Sequence, residues 1–413
     1  MPISSKHWVR IALFNLCIVA GIGALMRYKI GFEFPHFNQK YLQEAHSHFA
    51  FAGWITHSLF FLVTGVLRTN LPTINERLYN TIILINLVAA YGMLVCFAIQ
   101  GYGPISLTFS TISLLVGYVF AFFALKDLSR LPAKHPGKNW IQAAIWLGVL
   151  STVGTMVLSQ MMATKNYDQD TYLGSVFFYL HFQYNGWFLL ACLGLFMDYI
   201  KTQLVQSHLA VKAFWMMFLS CIPAYFLSTL WADVPLWLYI VVVISALSQL
   251  LGWWYLIRCI RSNIAYIRSK FTYPILLLFL VVALAISLKF CLQLGSTIPF
   301  ISTLAFGFRP IVIAYLHLAL LLITTLFLLT FMMGTGLISQ NKIARTALMV
   351  FAGAAILTEL VLMIQGIAGF SYSVVPLTKE MLLLFAIFLF GSSATLFFSG
   401  RIKDKNDLNQ PIL

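Results

Sequence analysis

Three histidines recur along this chain in similar surroundings, and their spacing makes them the first candidates for chemistry. The motif H-F-x-x-x-G-W begins at both His48 and His181, and the Y-L-H that contains His181 recurs at His317. The intervals, from 48 to 181 and from 181 to 317, are 133 and 136 residues, and a nearly constant interval indicates an internal repeat. Because neutral imidazole binds haem iron, copper and zinc, the repeat predicts that these histidines are metal ligands. The alternative is that each is buried and hydrogen-bonds a neighbouring helix.

Two further histidines lie close to His48. If this stretch is one α-helix, at about 100° per residue, His46 and His57 share a stripe about 16 Å long, and His48 faces away from His57. No two of the three can hold one ion in the i, i+4 manner of a metalloprotease, so any metal site must be completed by other helices. The repeat favours His48 over the other two as the ligand.

Few charged residues fall inside the apolar stretches. Arg27 and Lys289 lie near the outer ends of predicted helices, where they could pair with haem propionates or extend to the membrane surface. Glu359 lies deep in a predicted helix, where a carboxylate must be paired or protonated. It is therefore a candidate for a proton or cation site, or for a structural ion pair. Glu44 precedes His48 by four residues and could orient its imidazole by accepting a hydrogen bond.

The composition places these residues in a membrane protein. Of the 413 residues 61% are hydrophobic and only 9% are charged, with a mean hydropathy of +0.88. So little charge cannot cover a soluble domain, and apolar windows of about 20 residues recur along the chain. The first window lacks the features of a cleaved signal peptide and is predicted to be a retained span. The net charge of +14 is scattered over loops, which reflects topology and excludes nucleic acid as the partner.

We predict an all-α polytopic fold of twelve transmembrane helices in three parallel four-helix repeats with pseudo-threefold symmetry. The repeats are approximately 8–135, 136–268 and 269–403 of a single transmembrane domain, 1–403, and the histidines fall on helices two, six and ten. Four helices per repeat give every copy the same orientation. The predicted spans are 8–28, 40–67, 78–100, 105–125, 140–163, 171–197, 209–231, 236–258, 271–294, 309–333, 344–370 and 379–399.

Basic loops alternate with poorly basic ones, and the two termini belong to the basic set. Because Lys and Arg accumulate in cytoplasmic loops, both termini are predicted to be cytoplasmic. Residues 404–413 form a short polar tail that is predicted to be disordered. The six cysteines show neither CxxC nor CxxCH spacing, so the sequence indicates neither a disulfide framework nor covalent c-type haem.

This pattern resembles subunit I of the haem–copper oxidases and nitric oxide reductases, and it is similar to the related NnrS proteins. The likeness to the oxidases and reductases lies in twelve helices in three arcs with histidines on helices two, six and ten. The likeness to NnrS lies in His46-Ser47-His48 followed by Gly53, which is similar to its H-x-H-x-x-x-x-G. The resemblance covers the whole chain as architecture but is carried by short motifs. It implies a bacterial inner (cytoplasmic) membrane, an electron donor or partner subunits, and b-type haem.

Carried over to this chain, the resemblance implies that His48 and His317 ligate haem and that His181 ligates copper. The adjacent His-His copper pair and the second helix-ten histidine of the oxidases have no counterpart. Tyr184 follows His181 by three residues, whereas the oxidase tyrosine follows by four. The resemblance therefore implies one haem or one metal rather than a complete binuclear centre.

Three functions follow from these observations. The first is a haem protein, with copper as a further cofactor, that transfers electrons or acts on nitric oxide or oxygen as a diatomic gas. The second is a transporter or carrier of a metal ion, haem or a proton-coupled substrate, with the histidines and Glu359 along its path. The third is a structural membrane subunit whose histidines only hold helices together. Whether it is an enzyme, with oxidoreductase chemistry of the nitric oxide reductase type, is left open by the incomplete metal set.

Overall fold

The computed structural model describes residues 5–166, 168–200, 208–232, 234–302, 309–371 and 373–399. In this part of the chain the regular structure is helical throughout, with no strand. Helix is expected because lipid offers the backbone no hydrogen-bond partner, so each span must satisfy its own N–H and C=O groups. The predicted polar tail, 404–413, lies outside the described residues.

Sixteen α-helices, three π-helical segments and one 3-10 helix make up the described fold. The α-helices are α1 (Ser5–Gly31), α2 (Gln39–Phe49), α3 (His57–Asn70), α4 (Glu76–Gln100), α5 (Pro104–Ser129), α6 (Lys138–Thr164), α7 (Gln169–His181), α8 (Leu189–Ile200), α9 (His208–Cys221), α10 (Leu236–Ser262), α11 (Ile264–Lys270), α12 (Tyr273–Gly295), α13 (Arg309–His317), α14 (Leu326–Gly334), α15 (Lys342–Phe370) and α16 (Thr378–Ser399). The π-helical segments are π1 (Ala50–Thr56), π2 (Phe182–Phe188) and π3 (Leu318–Thr325), and the 3-10 helix is Pro223–Thr229.

The chain is a multi-pass α-helical membrane protein. Ten helices of the described residues are long and apolar enough to cross a membrane, and they become eleven if α9 and the 3-10 helix, bent by 45°, form one span. Each of the twelve predicted spans overlaps a helical segment. The predicted sixth span, α7 to α8, is not among the ten or eleven. His181, Gln183 and Asn185 in its middle lower its hydropathy.

Residues 1–127 and 325–413 form one compact unit, called unit 1. In it α1 packs on α16, which packs on α15, while α2 packs on α1 and α4. The α1–α16 pair is antiparallel, because Phe14 lies against Phe397, with ring centroids 5.4 Å apart, and Gly21 lies against Phe390. The end of α1, the start of α2, the end of α15 and the start of α16 therefore lie on the same side of unit 1.

Residues 128–324 form the second compact unit, called unit 2. Here α6 packs along α7, π2 and α8 through glycines that allow close backbone approach. A Cβ atom on Gly154 would lie 2.4 Å from the carbonyl oxygen of Ser175 and 3.0 Å from the backbone nitrogen of Tyr179. Because both neighbours are backbone atoms, they cannot give way without moving α7.

Gly154→Ala is therefore expected to force α6 and α7 apart and to lower the thermal unfolding midpoint of the purified protein. The matched control is Gly117→Ala in α5, where nothing lies within 4 Å of the new Cβ. Alanine there replaces a poor helix former, which favours the helix by up to about 1 kcal/mol. Equal midpoints for the two variants would contradict the close packing of α6 on α7.

Candidate functional site

Each repeated histidine is followed by a π-helical segment. His181 and His317 are the last residues before π2 and π3, and His48 stands two residues before π1. These are the three π-helical segments of the described chain. Such segments are rare and occur frequently at functional sites. The three stations thus share a backbone irregularity as well as a residue.

Two carbonyl groups of π1 accept hydrogen bonds from asparagines of neighbouring helices. Asn15 of α1 donates to the carbonyl oxygen of Gly53 at 2.5 Å, and Asn86 of α4 donates to that of Ala52 at 3.1 Å. Both asparagines are fully buried. A buried carbonyl without a partner is costly in lipid, so these side chains stabilise the irregular backbone beside His48.

His48 faces α4 and the loop that follows it. Its imidazole stacks on Phe97, with ring centroids 4.1 Å apart and planes 4° apart, and its Nε2 lies 3.2 Å from the Tyr102 hydroxyl. Tyr102 also hydrogen-bonds the Glu44 carboxyl group. With Glu44 ionised, the hydroxyl donates to the carboxylate and accepts from Nε2–H of His48. Glu44 thus reaches His48 through Tyr102, and Nδ1 keeps a lone pair.

His46 and His57 both face α1, as expected of one stripe. The His46 ring lies against Gly23, whose added Cβ would be 3.4 Å from Cε1, and it interacts with the Val19 backbone. His57 is fully buried and meets Trp8 edge to face at 5.5 Å. The Trp8 backbone is close enough to interact with the His57 ring. Neither ring nitrogen, however, makes a hydrogen bond of good geometry within the described residues.

Arg27 and Glu359 come together in unit 1, a pairing that the sequence did not predict. Glu359 of α15 is half-buried, and Arg27 of α1 acts on it electrostatically. Arg27 acts on His46 as well. Glu359 would therefore compete with a haem propionate for Arg27, the predicted propionate partner.

The structure uses both ring nitrogens of the buried His181. Nε2–H donates to the carbonyl oxygen of Cys221 at 2.8 Å, and the Asn185 amide donates to Nδ1 at 3.0 Å. Helix α9 ends at Cys221, and the N–H of Tyr225, which would bond Cys221 in a continued α-helix, donates to Ile222 instead. His181 therefore caps a broken helix as a neutral imidazole, and in this arrangement it offers no lone pair to copper.

Lys289 lies beside His181 in unit 2. Its side chain is 1% exposed, donates to Oε1 of Gln293 at 3.0 Å and lies 4.3 Å from the ring centroid of Phe290. It acts electrostatically on His181 and Cys221. The amide oxygen and the aromatic face partly replace water around the ammonium group. The predicted propionate partner is thus held in the interior of unit 2.

Tyr184 links two of the repeated motifs within unit 2. It hydrogen-bonds Tyr315, and the two ring centroids are 5.9 Å apart. Tyr315 precedes the half-buried His317 by two residues. The tyrosine after the second repeated histidine is thereby connected to the tyrosine before the third.

Two side chains that bond predicted site residues were not predicted, although their spacing in the sequence could have indicated them. Asn185 follows His181 by four residues, and Gln293 follows Lys289 by four, so each pair shares a helix face. Tyr102 carries no such signal because it approaches from a loop. Within the described residues no group of three or more His, Cys, Asp or Glu side chains could hold a metal ion.

The fold and these polar groups define a multi-pass helical membrane protein with a fully buried histidine at His181 and half-buried ones at His48 and His317. No known protein family matches the sequence. A comparison with curated proteins likewise finds no match.

Proposed function

We propose that this protein is a haem-binding integral membrane protein of a group related to the haem–copper oxidases and NnrS proteins, with twelve spans in three parallel repeats of pseudo-threefold symmetry. Its role would be electron transfer or nitric oxide and oxygen chemistry. The observation that carries the proposal is the π-helical segment that follows each of His48, His181 and His317. A backbone irregularity shared at nearly constant intervals is expected of a repeated unit whose copies have the same role.

The three histidines differ in whether a ring nitrogen is available to bind a metal. His48 keeps the lone pair of Nδ1 while Tyr102 fixes its tautomer, as a partner does for a metal-bound imidazole. We propose His48 in unit 1 and His317 in unit 2 each as a haem ligand, with Arg27 and Lys289 as the cations available to propionates. His181 does not fit copper unless Asn185 releases Nδ1, so copper is left to metal analysis. Haem, when bound, supplies a redox-active iron.

A visible absorption spectrum of the purified full-length protein, together with metal analysis, tests the function. A Soret band with about one iron or more per chain supports the haem proposal. Bound copper or zinc without haem supports the carrier function, and the absence of both leaves the histidines as structural groups.

The carrier function is the second candidate, and one observation favours it. Arg27 and Glu359 place two ionisable side chains in electrostatic contact inside unit 1. An ionisable residue within a membrane span is a candidate for an ion or proton pathway, and a structural pairing of the two side chains is the alternative.

We also propose that both termini are cytoplasmic in a bacterial inner membrane, since the basic loops alternate along the chain. Lys134 precedes α6, and Asp168 caps the start of α7 by accepting from the Thr171 N–H at 2.8 Å. Because α6 separates them, reporter fusions at Lys134 and Asp168 should read cytoplasmic and external, respectively. The same reading for both fusions would refute the span between them.

A further inference from the structure

Two basic and two aromatic side chains form a continuous patch on the surface of unit 2, where α9 packs on α10. The patch, called the α9–α10 cluster, consists of Lys212, Trp254, Tyr255 and Arg258. The ammonium nitrogen of Lys212 lies 5.9 Å from the Tyr255 ring centroid, and the Tyr255 and Trp254 ring centroids are 5.1 Å apart. The guanidinium carbon of Arg258 lies 4.8 Å from the Trp254 ring centroid. The patch thus places two cations, one from each helix, on adjoining aromatic side chains.

Close packing of the two helices brings the cluster together. A Cβ atom on Gly252 of α10 would lie 3.1 Å from the Cβ atom of Met216 and 3.2 Å from the carbonyl oxygen of Ala213, both in α9. At about 100° per residue, Tyr255 is turned about 60° from Gly252 around α10, and Arg258 is turned about 120° in the same direction. Tyr255 therefore borders the contact with α9, and it lies between the cation of α9 and the cation of α10.

The exposed face of α10 is apolar up to the cluster and becomes basic there. Helix α10 is one of the candidate membrane spans, and Arg258 lies four residues, about 6 Å, from its end. Ile244, Leu247 and Leu251 are exposed earlier in the helix and, at about 100° per residue, share the face of Arg258. This face thus offers apolar side chains over about two turns and then a cation at the membrane boundary. Tryptophan and tyrosine, the aromatic residues of the cluster, are also favoured at that boundary.

No carboxylate of the surrounding helices balances the two cations. The described residues 208–232 and 234–270, which contain α9, α10 and α11, include no Asp or Glu. Neither Lys212 nor Arg258 has an ion-pair partner within the part of the chain that the structure describes. The aromatic rings attract the cations through their π faces but do not neutralise them. An anion bound at the cluster would therefore meet two positive charges and no carboxylate from these helices.

We propose that the α9–α10 cluster binds the headgroup phosphate of an anionic phospholipid, and that an acyl chain of this lipid lies along the exposed apolar face of α10. Basic residues at the membrane boundary recognise anionic headgroups. The Arg258 guanidinium offers two parallel N–H donors to phosphate oxygens, and Lys212 adds a second positive charge. The aromatic rings against the two cations hold them at the depth of the headgroup. Neither haem nor a metal takes part, so the site is independent of the proposed cofactor.

Native mass spectrometry of the purified full-length protein, with phosphatidylglycerol and with phosphatidylcholine of the same acyl chains, tests this site. Phosphatidylglycerol should bind at least about fivefold more tightly, which is the effect expected of one basic residue near an anionic headgroup. Arg258→Gln and Lys212→Gln should each weaken its binding by about fivefold and leave the binding of phosphatidylcholine unchanged. The matched control is Arg77→Gln, which removes the same charge from an exposed residue beside Glu76 at the start of α4, outside the cluster. This variant should bind phosphatidylglycerol as the unchanged protein does.

Equal affinities for the two lipids would overturn the site, and so would phosphatidylglycerol binding that neither Arg258→Gln nor Lys212→Gln weakens. An equal loss in Arg77→Gln would also overturn it, because the lipid would then respond to net charge alone. If Arg258→Gln fails to fold, Lys212→Gln on the other helix decides the matter.

Thermal unfolding of the full-length protein distinguishes a lipid headgroup from free phosphate. Phosphatidylglycerol should raise the unfolding midpoint, because it binds the folded protein. Sodium phosphate should leave the midpoint where sodium chloride of the same ionic strength leaves it, since free phosphate has no acyl chain to contact the apolar face of α10. A rise with sodium phosphate equal to that with phosphatidylglycerol would contradict a lipid site.

Discussion

Replacing His48 with alanine should remove most of the Soret absorbance of the purified protein or shift its maximum. The imidazole is the proposed axial ligand, and alanine offers the iron no nitrogen. His317→Ala should have the same kind of effect because His317 occupies the corresponding station. The measurement is the visible spectrum of each variant at equal protein concentration, with the bound iron determined on the same sample.

His36→Ala is the matched control, since His36 lies exposed in the loop between α1 and α2. It should bind haem as the unchanged protein does. His57→Ala should cost less haem than His48→Ala, because His57 lies about 13 Å deeper along the helix at 1.5 Å per residue. An unchanged spectrum in both His48→Ala and His317→Ala would end the ligand assignment.

The second large effect is expected at His181 and concerns stability. His181→Ala leaves the Cys221 carbonyl oxygen and the Asn185 amide without their buried partner and opens a cavity. Unsatisfied buried groups cost about 1–3 kcal/mol each, so the unfolding free energy should fall by about 2–4 kcal/mol. Thermal unfolding of the full-length protein, followed by tryptophan fluorescence, measures this as a lower midpoint.

The exposed His208 at the start of α9 provides the control, and His208→Ala should leave the midpoint unchanged. Asn185→Ala should be milder than His181→Ala, because His181 keeps its bond to Cys221. If His181 were instead a copper ligand, added copper would raise the midpoint of the unchanged protein but not that of His181→Ala. That outcome would contradict the capping role.

The positions of the helices could be predicted because lipid leaves the backbone no alternative to helix, so long apolar windows became helices. The number of spans was harder to predict, because polar residues can lie within a span. His181, Gln183 and Asn185 interrupt the apolar pattern of one helix. His181 and Gln183 bond Cys221 and Ser151 from other parts of unit 2, and Asn185 bonds His181. The sequence shows the polar residues but not the contacts that allow them to be buried.

The candidate site was predictable only as far as the repeat reached. The nearly constant spacing singled out His48, His181 and His317, and π1, π2 and π3 lie next to those residues. The irregular backbone itself could not be predicted, since π1 depends on Asn15 and Asn86 from other helices. His46 occurs in one repeat only and was set aside for that reason. Its contacts with α1 and the electrostatic effect of Arg27 on it arise from helix packing, which the repeated motif does not show.

The π-helical segments also bear on how related chains should be aligned. A π-helical turn closes its hydrogen bonds over five residues rather than four, so it accommodates a residue that an ordinary α-helix lacks. In a relative whose helix is α-helical throughout, an alignment without a gap at Phe182–Phe188 would rotate α8 by about 100° relative to its true faces. The same applies at Ala50–Thr56 and Leu318–Thr325. A search for relatives of this chain should therefore allow a one-residue gap at each of these three places.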